Sequence, residues 1–442
     1  MSRHSFRIAR LAVAGALAAF AATAQAQVEI QWWHSMTGAL GDRVNDFAKG
    51  FNESQKEYKV VPVYKGAYPE SMAAAIAAFR AGSAPHILQV FEVGTATMMS
   101  AKGAIKPVAD VLREGGFKFD SKAFIGPVAG YYTNNKGEML SFPFNSSTPV
   151  FYFNRDVFEK AGLDPNRAPA TWPEVMAAAA KIKAAGASQC AYTSGWPSWV
   201  HVENLSALHN VPIGTRDNGM AGLDTRFQIN SPLHVKHWNN LKEWSQKGYF
   251  TYAGRRNEAE AKFYSGECAM LTSSSAAQAN INRNAKFKYA VAMLPYYADV
   301  AGAPQNSIIG GASLWVMSGK KPNEYKGVAQ FLNFLMDPNR QAQWHQTTGY
   351  VPISPAAYEI TKKSGFYEKN PGTDVSVRQL MLNPPTANSK GLRFGSFVQI
   401  RDIFEEEMEN MLAGKQDAKK ALDNAVKRGD EMLVRFQKAT KE

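Results

Sequence analysis

The chain has 442 residues, a formal net charge of +12 and hydrophobic residues at 45% of its positions, which allows two or three domains with sizeable cores. Its Lys and Arg residues are scattered in runs of at most two, whereas a nucleic-acid-binding surface usually carries a clustered basic stripe. The composition therefore argues against a nucleic-acid partner and predicts a mild positive field that helps to collect small anions.

Residues 1–26 have the features of a secretory signal peptide. Three Arg residues precede an apolar run from Leu11 to Ala22, which is too short to span a bilayer, and Ala24-Gln-Ala26 fits a small-residue cleavage site. No Cys follows this site, so a lipid anchor is not expected. We expect an exported mature chain that begins at Gln27 and has no membrane-spanning segment.

From Val28 onwards the apolar pattern alternates between strand and helix periods. It predicts strands at 28–33, 58–64 and 87–90, with helices between them. This alternation favours a parallel sheet with crossover helices, in which ligands lie beyond the carboxyl ends of the strands. Tyr68 and Glu92 follow two of these strands and are candidate cleft residues, although exposed loop positions would explain them as well.

The stretch from Ser141 to Arg155 is aromatic and β-branched, and it is expected to be extended. Pro143 and Pro149 exclude a helix, and a polar cluster, Asn145-Ser-Ser-Thr148, lies between them. We interpret the stretch as a segment that crosses between two domains and turns its polar middle towards a cleft. A surface loop between two strands is the alternative.

Beyond this stretch the alternating pattern begins again. Thr171-Trp-Pro-Glu174 is a capping box that opens a helix, and a strand is predicted at 189–193. Trp196 and Trp199 follow in a loop that contains Gly and Pro. Tryptophans in such a loop either pack beneath it or form the wall of a binding site.

A predicted strand at 268–272 leads through three serines, Ser273 to Ser275, into a helix at 276–284. These hydroxyls serve either as N-caps or, with the helix N-terminus, as anion ligands. A glycine pair, Gly310-Gly311, lets backbone approach a ligand closely. Two closing amphipathic helices are predicted at 401–412 and 417–436.

The two cysteines, Cys190 and Cys268, lie in strand-like apolar runs. In an oxidising compartment such a pair forms a disulfide or remains as two buried thiols, and the sequence leaves both open.

No catalytic or metal-binding motif is convincing. His234-x-x-His237 lacks a third ligand, and His201-Val-Glu203 lacks the Cys-x-x-Cys that completes a zinc-deaminase site. The chain also contains no Gly-x-Ser-x-Gly elbow and no Walker loop. The sequence therefore predicts a binding protein, with no enzymatic activity, cofactor or metal.

Several long motifs closely resemble the periplasmic glycerol-3-phosphate-binding proteins, the substrate receptors of ABC importers. The motifs are Trp33-His-Ser-Met36, Ile76-Ala-Ala-Phe-Arg80, Gln89-Val-Phe-Glu-Val-Gly-Thr-Ala-Thr-Met-Met99, Pro143-Phe-Asn-Ser-Ser-Thr-Pro-Val150, Ile308-Ile-Gly-Gly-Ala-Ser-Leu-Trp-Val316, Gly365-Phe-Tyr-Glu-Lys-Asn-Pro-Gly372 and Gln399-Ile-Arg401. The likeness extends from the first strand to the last helix.

The resemblance implies the bilobal α/β fold of the maltose-binding type, with two discontinuous lobes, a three-segment hinge and a ligand in the cleft between the lobes. Mapped on this chain, the N-terminal lobe comprises residues 27–145 and 276–335, and the C-terminal lobe comprises 146–275 and 336–442. The hinge crossings are expected near 140–147, 272–277 and 330–340.

The resemblance also implies nine ligand contacts. They are Tyr68, Glu92, Ser147, Trp196, Trp199, Ser274, Gly311, Tyr350 and Arg401. Arg401 is suited to a forked pair of hydrogen bonds with phosphate, while Glu92 and Tyr68 suit the glycerol hydroxyls. The tryptophans would wall the carbon skeleton, or stack on a choline cation if a diester binds.

The expected protein is thus a monomeric periplasmic receptor for sn-glycerol-3-phosphate or a glycerophosphodiester such as glycerophosphocholine, and its macromolecular partner is the permease of an ABC importer. The preference between monoester and diester is open. Two rival interpretations are a receptor of the same fold for a neutral oligosaccharide and a secreted phosphodiesterase or phosphatase.

Overall fold

The computed structural model describes residues 27–441, so the predicted signal peptide lies outside the described residues. Within them, no helix is long and apolar enough to cross a membrane.

The described chain folds into eleven strands and nineteen helices in mixed order. The strands are β1 (Val28–His34), β2 (Tyr58–Tyr64), β3 (Ile87–Phe91), β4 (Ile105–Lys106), β5 (Phe142–Ser147), β6 (Pro149–Asn154), β7 (Cys190–Ser194), β8 (Phe250–Thr251), β9 (Cys268–Ser274), β10 (Tyr289–Ala292) and β11 (Gly310–Met317). The helices are α1 (Gly38–Ser54), α2 (Tyr68–Arg80), α3 (Thr95–Ser100), α4 (Val108–Glu114), α5 (Gly126–Tyr132), α6 (Arg155–Lys160), α7 (Trp172–Ala184), α8 (Leu205–Leu208), α9 (Thr215–Asn218), α10 (Pro232–Gln246), α11 (Glu258–Tyr264), α12 (Ala277–Asn284), α13 (Pro322–Leu335), α14 (Pro338–Thr348), α15 (Pro355–Lys363), α16 (Phe366–Lys369), α17 (Val375–Leu380), α18 (Phe397–Leu412) and α19 (Ala418–Lys441).

The first sheet has the order β2-β1-β3-β11-β4, and β5 also pairs with β11. Strands β1, β2 and β3 are parallel, as the alternating pattern predicts, because a crossover helix connects each strand to the next. Strand β11 arrives from far along the chain and runs antiparallel to β3 and β5. The carboxyl ends of β1 and β3 and the start of β11 therefore meet at one edge of the sheet.

The second sheet has the order β10-β6-β9-β7-β8. Its central strands β7 and β9 are parallel neighbours, with Cys190 directly opposite Cys268. The two sulfurs form a disulfide, which decides the alternative that the sequence left open. The predicted capping box also forms: the Thr171 hydroxyl accepts from the Glu174 amide, and the Glu174 carboxylate accepts from the Thr171 amide.

The chain crosses from the first sheet to the second at Thr148. Strand β5, which ends at Ser147, belongs to the first sheet, and β6, which begins at Pro149, belongs to the second. The interpretation of this stretch as an extended interdomain crossing is confirmed, and the surface-loop alternative is wrong because all of its residues from Phe142 to Asn154 are buried.

The structure differs from the expected lobe boundaries at Ser146 and Ser147, which end β5 in the first sheet, and in two longer segments. Strand β10 pairs with β6, so residues 289–292 belong to the second sheet, although 276–335 was assigned as a whole to the N-terminal lobe. Helix α14 packs Trp344 against Phe47 and Phe144, which lie in the core of the first sheet. Both segments pack against residues that are distant in sequence. Lobe boundaries drawn as continuous ranges therefore assign these segments to the wrong lobe.

The histidines that the sequence offered as an incomplete metal motif are core residues. His201, His234 and His237, the histidine cluster, are fully buried in the second lobe. The rings of His201 and His237 share a hydrogen bond of 2.9 Å, and His234 contacts the Ser206 hydroxyl at 2.7 Å. Burial lowers the pKa of His201 and of His234 to about 3, so the cluster is neutral at physiological pH.

Candidate functional site

A cavity of about 100 Å³ lies between the two sheets, which is room for several water molecules or a small polar ligand. Eight of the nine predicted site residues line it: Tyr68, Glu92, Ser147, Trp196, Trp199, Ser274, Gly311 and Tyr350. The ninth, Arg401, lies behind Glu92 and does not line the cavity. Both lobes and the crossing segments contribute to these walls.

Tyr68 stands on the first-lobe side of the cavity. It begins helix α2, where the sequence predicted a loop, because Pro69 suits the first turn and starts the helix early. Its ring stacks on Phe91 with a centroid distance of 5.0 Å. Its hydroxyl accepts a 3.1 Å hydrogen bond from the Asn145 side chain, which itself accepts from Gln89. Tyr68 is therefore held rigidly at the rim of the first sheet.

Glu92 belongs to a buried charge network in which Arg401 lies between Glu92 and Glu203. The guanidinium of Arg401 makes a fork with Glu203, at 2.7 and 2.6 Å, and a single 2.6 Å bond to Glu92. Burial raises the pKa of Glu92, against the opposing charge of Arg401. Burial acts to lower the pKa of Arg401, but the charges of Glu203 and Glu92 outweigh it and the pKa is raised. Arg401 was expected to make a forked pair of hydrogen bonds with phosphate, and in this structure it makes that pair with Glu203.

Backbone and hydroxyl donors converge on the cavity where β5 and β11 pair. Ser147 faces Gly310, and Ser146 faces Gly311, in the antiparallel register. Gly311 has a φ of +97°, and a Cβ on it would lie 1.9 Å from the Asn145 carbonyl oxygen. Only glycine fits this backbone, so the main chain at Gly311 is a fixed part of the cavity wall.

The two tryptophans form the second-lobe wall. Trp196 has a φ of +52°, an uncommon conformation for a bulky residue, and its amide donates to the Arg256 carbonyl at 2.8 Å. Trp199 begins a π-helical turn that ends at Asn204. A Cβ on Gly310 would lie 2.4 Å from the Trp199 ring, so the indole rests directly on the β11 backbone. Strained backbone and π-helical turns of this kind are often found at functional sites.

Ser274 and Tyr350 complete the predicted set. Ser274 ends β9, and its hydroxyl accepts from the amide of Ala276 at 3.1 Å. It therefore closes a turn just before α12, whose N-cap is Ala276, and it also lines the cavity. The Tyr350 ring stacks on Trp344 with a centroid distance of 5.7 Å. Its hydroxyl lies 3.7 Å from the sulfur of Met36.

Other lining residues were missed by the sequence interpretation. They include Ser35, Thr37, Asn257, Glu260 and Asn280. Ser35 and Thr37 follow the carboxyl end of β1, so the rule that located Tyr68 and Glu92 would also have found them. Glu260 and Asn257 belong to the start of a short helix whose position depends on tertiary packing, and no local pattern indicates them.

The chemistry of this cavity is that of a binding site. Its lining offers hydroxyls, amides, indole rings and two carboxyl groups, and none of its residues is a Lys, Arg or His. Across residues 27–441, no cluster of three or more His, Cys, Asp or Glu side chains is arranged to hold a metal ion.

Comparison with known proteins identifies the class to which this site belongs. Residues 46–373 match the family model described as bacterial extracellular solute-binding protein. The chain belongs to this family. It is 55% identical over 423 residues, 96% of both chains, to the sn-glycerol-3-phosphate-binding periplasmic protein UgpB of Yersinia pseudotuberculosis. It is 53% identical over 439 residues, 99% of this chain and 98% of the relative, to the protein of the same name from Pectobacterium atrosepticum.

Solved structures of solute-binding proteins share the fold of this chain. UgpB from Mycobacterium tuberculosis, in complex with glycerophosphocholine, superposes with a TM-score of 0.76 at 22% identity, covering 92% of this chain and 98% of that one. The GacH receptor of Streptomyces glaucescens, studied unliganded and with acarbose, gives a TM-score of 0.76 at 17% identity, with 93% and 99% covered. The expected bilobal solute-binding fold is confirmed.

Proposed function

We propose that this protein is the extracytoplasmic receptor of an ABC importer and that it captures sn-glycerol-3-phosphate or a glycerophosphodiester. The observation that carries the proposal is the identity of 53–55%, over nearly the whole chain, to relatives named as sn-glycerol-3-phosphate-binding periplasmic proteins. The cavity supports it, because eight of the nine expected contact residues converge there from both lobes.

The roles that we assign follow the geometry of the donors. Neutral donors, namely the hydroxyls of Ser147, Ser274 and Tyr350 and the amide of Gly311, hold the phosphate, whose oxygens accept hydrogen bonds from neutral groups without a buried cation. Glu92 and Tyr68 accept from the glycerol hydroxyls. Trp196 and Trp199 cover the carbon skeleton and exclude water.

We assign Arg401 a role other than the direct contact with phosphate that the resemblance implied. Two of its nitrogens are already bound by Glu203 and Glu92, so a fork to phosphate would require at least one of these carboxylates to release the guanidinium. We propose that Arg401 orients Glu92 towards the glycerol end and compensates its charge. The direct contact between Arg401 and phosphate stays a prediction that a ligand-bound structure will test.

Binding of this kind accounts for capture and release without chemical change. Glycerol-3-phosphate has roughly ten non-hydrogen atoms, and at about 0.8–1 kcal/mol for each the binding free energy reaches about −8 to −10 kcal/mol, a low-micromolar to sub-micromolar Kd. Because both lobes supply contacts, ligand binding is coupled to closure of the hinge, and the closed form is delivered to the permease. We propose a monomeric periplasmic protein with no enzymatic activity and no nucleic-acid partner.

Calorimetric titration of the mature protein with sn-glycerol-3-phosphate, with maltotriose as the comparison ligand, tests the proposal. We expect a micromolar or tighter Kd for the phosphate ester and no heat with the sugar. The variants Ser147→Ala and Ser274→Ala should each weaken binding roughly fivefold to tenfold, the equivalent of one hydrogen bond. Binding of the sugar alone would favour an oligosaccharide receptor, and release of phosphate or alcohol from a diester would favour a phosphodiesterase.

A further inference from the structure

We propose that Glu260, together with Trp196 and Trp199, forms a subsite for a small organic ammonium group, so that the cavity prefers a glycerophosphodiester with a cationic head over one with a neutral head. This inference rests on the proposed function and answers the question of monoester or diester that the sequence left open.

Glu260 is a buried acid that lines the cavity. Its side chain lines the cavity and is only 5% exposed. Its carboxylate accepts one hydrogen bond, 2.9 Å long, from the hydroxyl of Ser273. Within the described part of the chain, no Lys, Arg or His side chain forms an ion pair with it. Burial of a carboxylate without a cation costs free energy. An unpaired acid is also unexpected in a cavity whose proposed ligand carries a negatively charged phosphate.

Arg401 and Arg256 do not compensate this charge, because both are paired with other acids. Arg401 is matched by Glu92 and Glu203, and Arg256 is matched by Asp402 and Glu405. Each arginine therefore already faces two carboxylates. A dianionic monoester would add two negative charges to this acidic cavity, whereas a diester with an ammonium head adds one negative and one positive charge and therefore no net charge.

The carboxylate and the aromatic wall lie next to each other. Ser273, the partner of Glu260, is adjacent to Gly195, because a Cβ on that glycine would lie 2.8 Å from the Ser273 hydroxyl. Gly195 directly precedes Trp196. Indole faces attract ammonium groups through their electron-rich rings, and an acid behind them adds charge pairing. Glu260 and the two indoles are thus the components of a cation site.

The ionisation of Glu260 suits such a role. Burial raises its pKa to about 7, more than the hydrogen bond from Ser273 lowers it, and Glu258 adds to the rise. Tyr152 and Tyr350 are the other titratable groups that sense its charge. An ammonium group that enters the subsite favours the ionised form of Glu260. The Glu260 carboxyl group therefore loses its proton when the cationic head binds and keeps it when no cation is present.

The experiment uses three ligands and two variants of the mature protein. Calorimetry measures the Kd of glycerophosphocholine, of glycerophosphoglycerol as the matched diester with a neutral head, and of sn-glycerol-3-phosphate. The variant Glu260→Gln removes the charge and keeps an acceptor for Ser273. Glu159→Gln is the control, because Glu159 is an exposed acid on α6 and does not line the cavity.

We expect the wild type to bind glycerophosphocholine about tenfold more tightly than glycerophosphoglycerol, and Glu260→Gln to reduce this ratio by roughly tenfold. Affinity for the monoester should stay equal or rise, and Glu159→Gln should behave as the wild type. An equal loss for all three ligands, or an unchanged ratio, would show that Glu260 is only structural. If the wild type binds the monoester without distinguishing the heads, only this inference fails; if it binds none of the three ligands, the proposed function fails as well.

Discussion

Replacement of Arg401 by Met removes the only cation of the buried network while it preserves much of the side-chain volume. The guanidinium nitrogens lie 2.6–2.7 Å from oxygens of Glu92 and Glu203, and all three side chains are at least 95% buried. Removal of one partner from such a network leaves uncompensated charge and costs about 3–5 kcal/mol of folding free energy. We expect a loss of this size at pH 8.

The loss should depend on pH in a definite direction. Burial already raises the pKa of Glu92 against the charge of Arg401, so the variant raises it further. The folded variant then binds more protons than the unfolded chain between pH 4.5 and that raised pKa, and stability falls as the pH rises through this window. For one carboxyl group the slope is about 1.4 kcal/mol per pH unit, so the variant should be closest to the wild type near pH 5.

Urea denaturation followed by tryptophan fluorescence at pH 5, 6.5 and 8 measures these free energies. The control is Arg428→Met, because Arg428 contacts Glu406 and Glu407 while its side chain is 38% exposed, and such a pair contributes about 1 kcal/mol or less. If Arg401→Met loses no more than this control, or loses the same amount at every pH, the buried-network argument is refuted.

Three further predictions concern other parts of the fold. Gly311→Ala should reduce affinity for sn-glycerol-3-phosphate by more than tenfold in calorimetry, because the new Cβ would lie 1.9 Å from the Asn145 carbonyl oxygen. The control Gly414→Ala should bind as the wild type does, because Gly414 is also at positive φ but has open space around it. Acidification below pH 6.5 should destabilise the protein, because the histidine cluster is neutral when folded and its members take up protons when unfolded. Thermal scans from pH 7 to pH 4 should therefore show a falling Tm, and the fall should be steeper than in the variant His201→Gln. Reduction of the disulfide between Cys190 and Cys268, which are 78 residues apart, should lower the unfolding free energy by about 4 kcal/mol through the entropy of the opened chain, and an unchanged urea midpoint after reduction would contradict this.

Sequence periodicity predicted most of the fold because its elements have strong local patterns. The first three strands and the interdomain crossing at Thr148 follow from alternation, proline positions and β-branched residues. The location of Tyr68 and Glu92 beyond strand ends follows from the rule for parallel sheets. The family resemblance supplied the remaining contact positions.

The rest depends on partners that are far apart in the chain. Glu203 is 198 residues from Arg401, and in the sequence it resembled only a fragment of a zinc motif. Glu260 has no distinguishing local pattern, and its role comes from the tertiary position of α11. The recruitment of β10 and α14 across the expected boundaries likewise reflects packing that sequence spacing does not encode.

The Arg401 network links the two lobes across the cleft, with two hydrogen bonds on one side and one on the other. Arg401 and Glu203 both belong to the second lobe, whereas Glu92 follows a strand of the first. When the lobes separate, the guanidinium keeps its two bonds to Glu203 and gives up only the one to Glu92. Within this network, opening of the cleft therefore breaks the contact with Glu92, the same carboxylate that we assign to the glycerol hydroxyls.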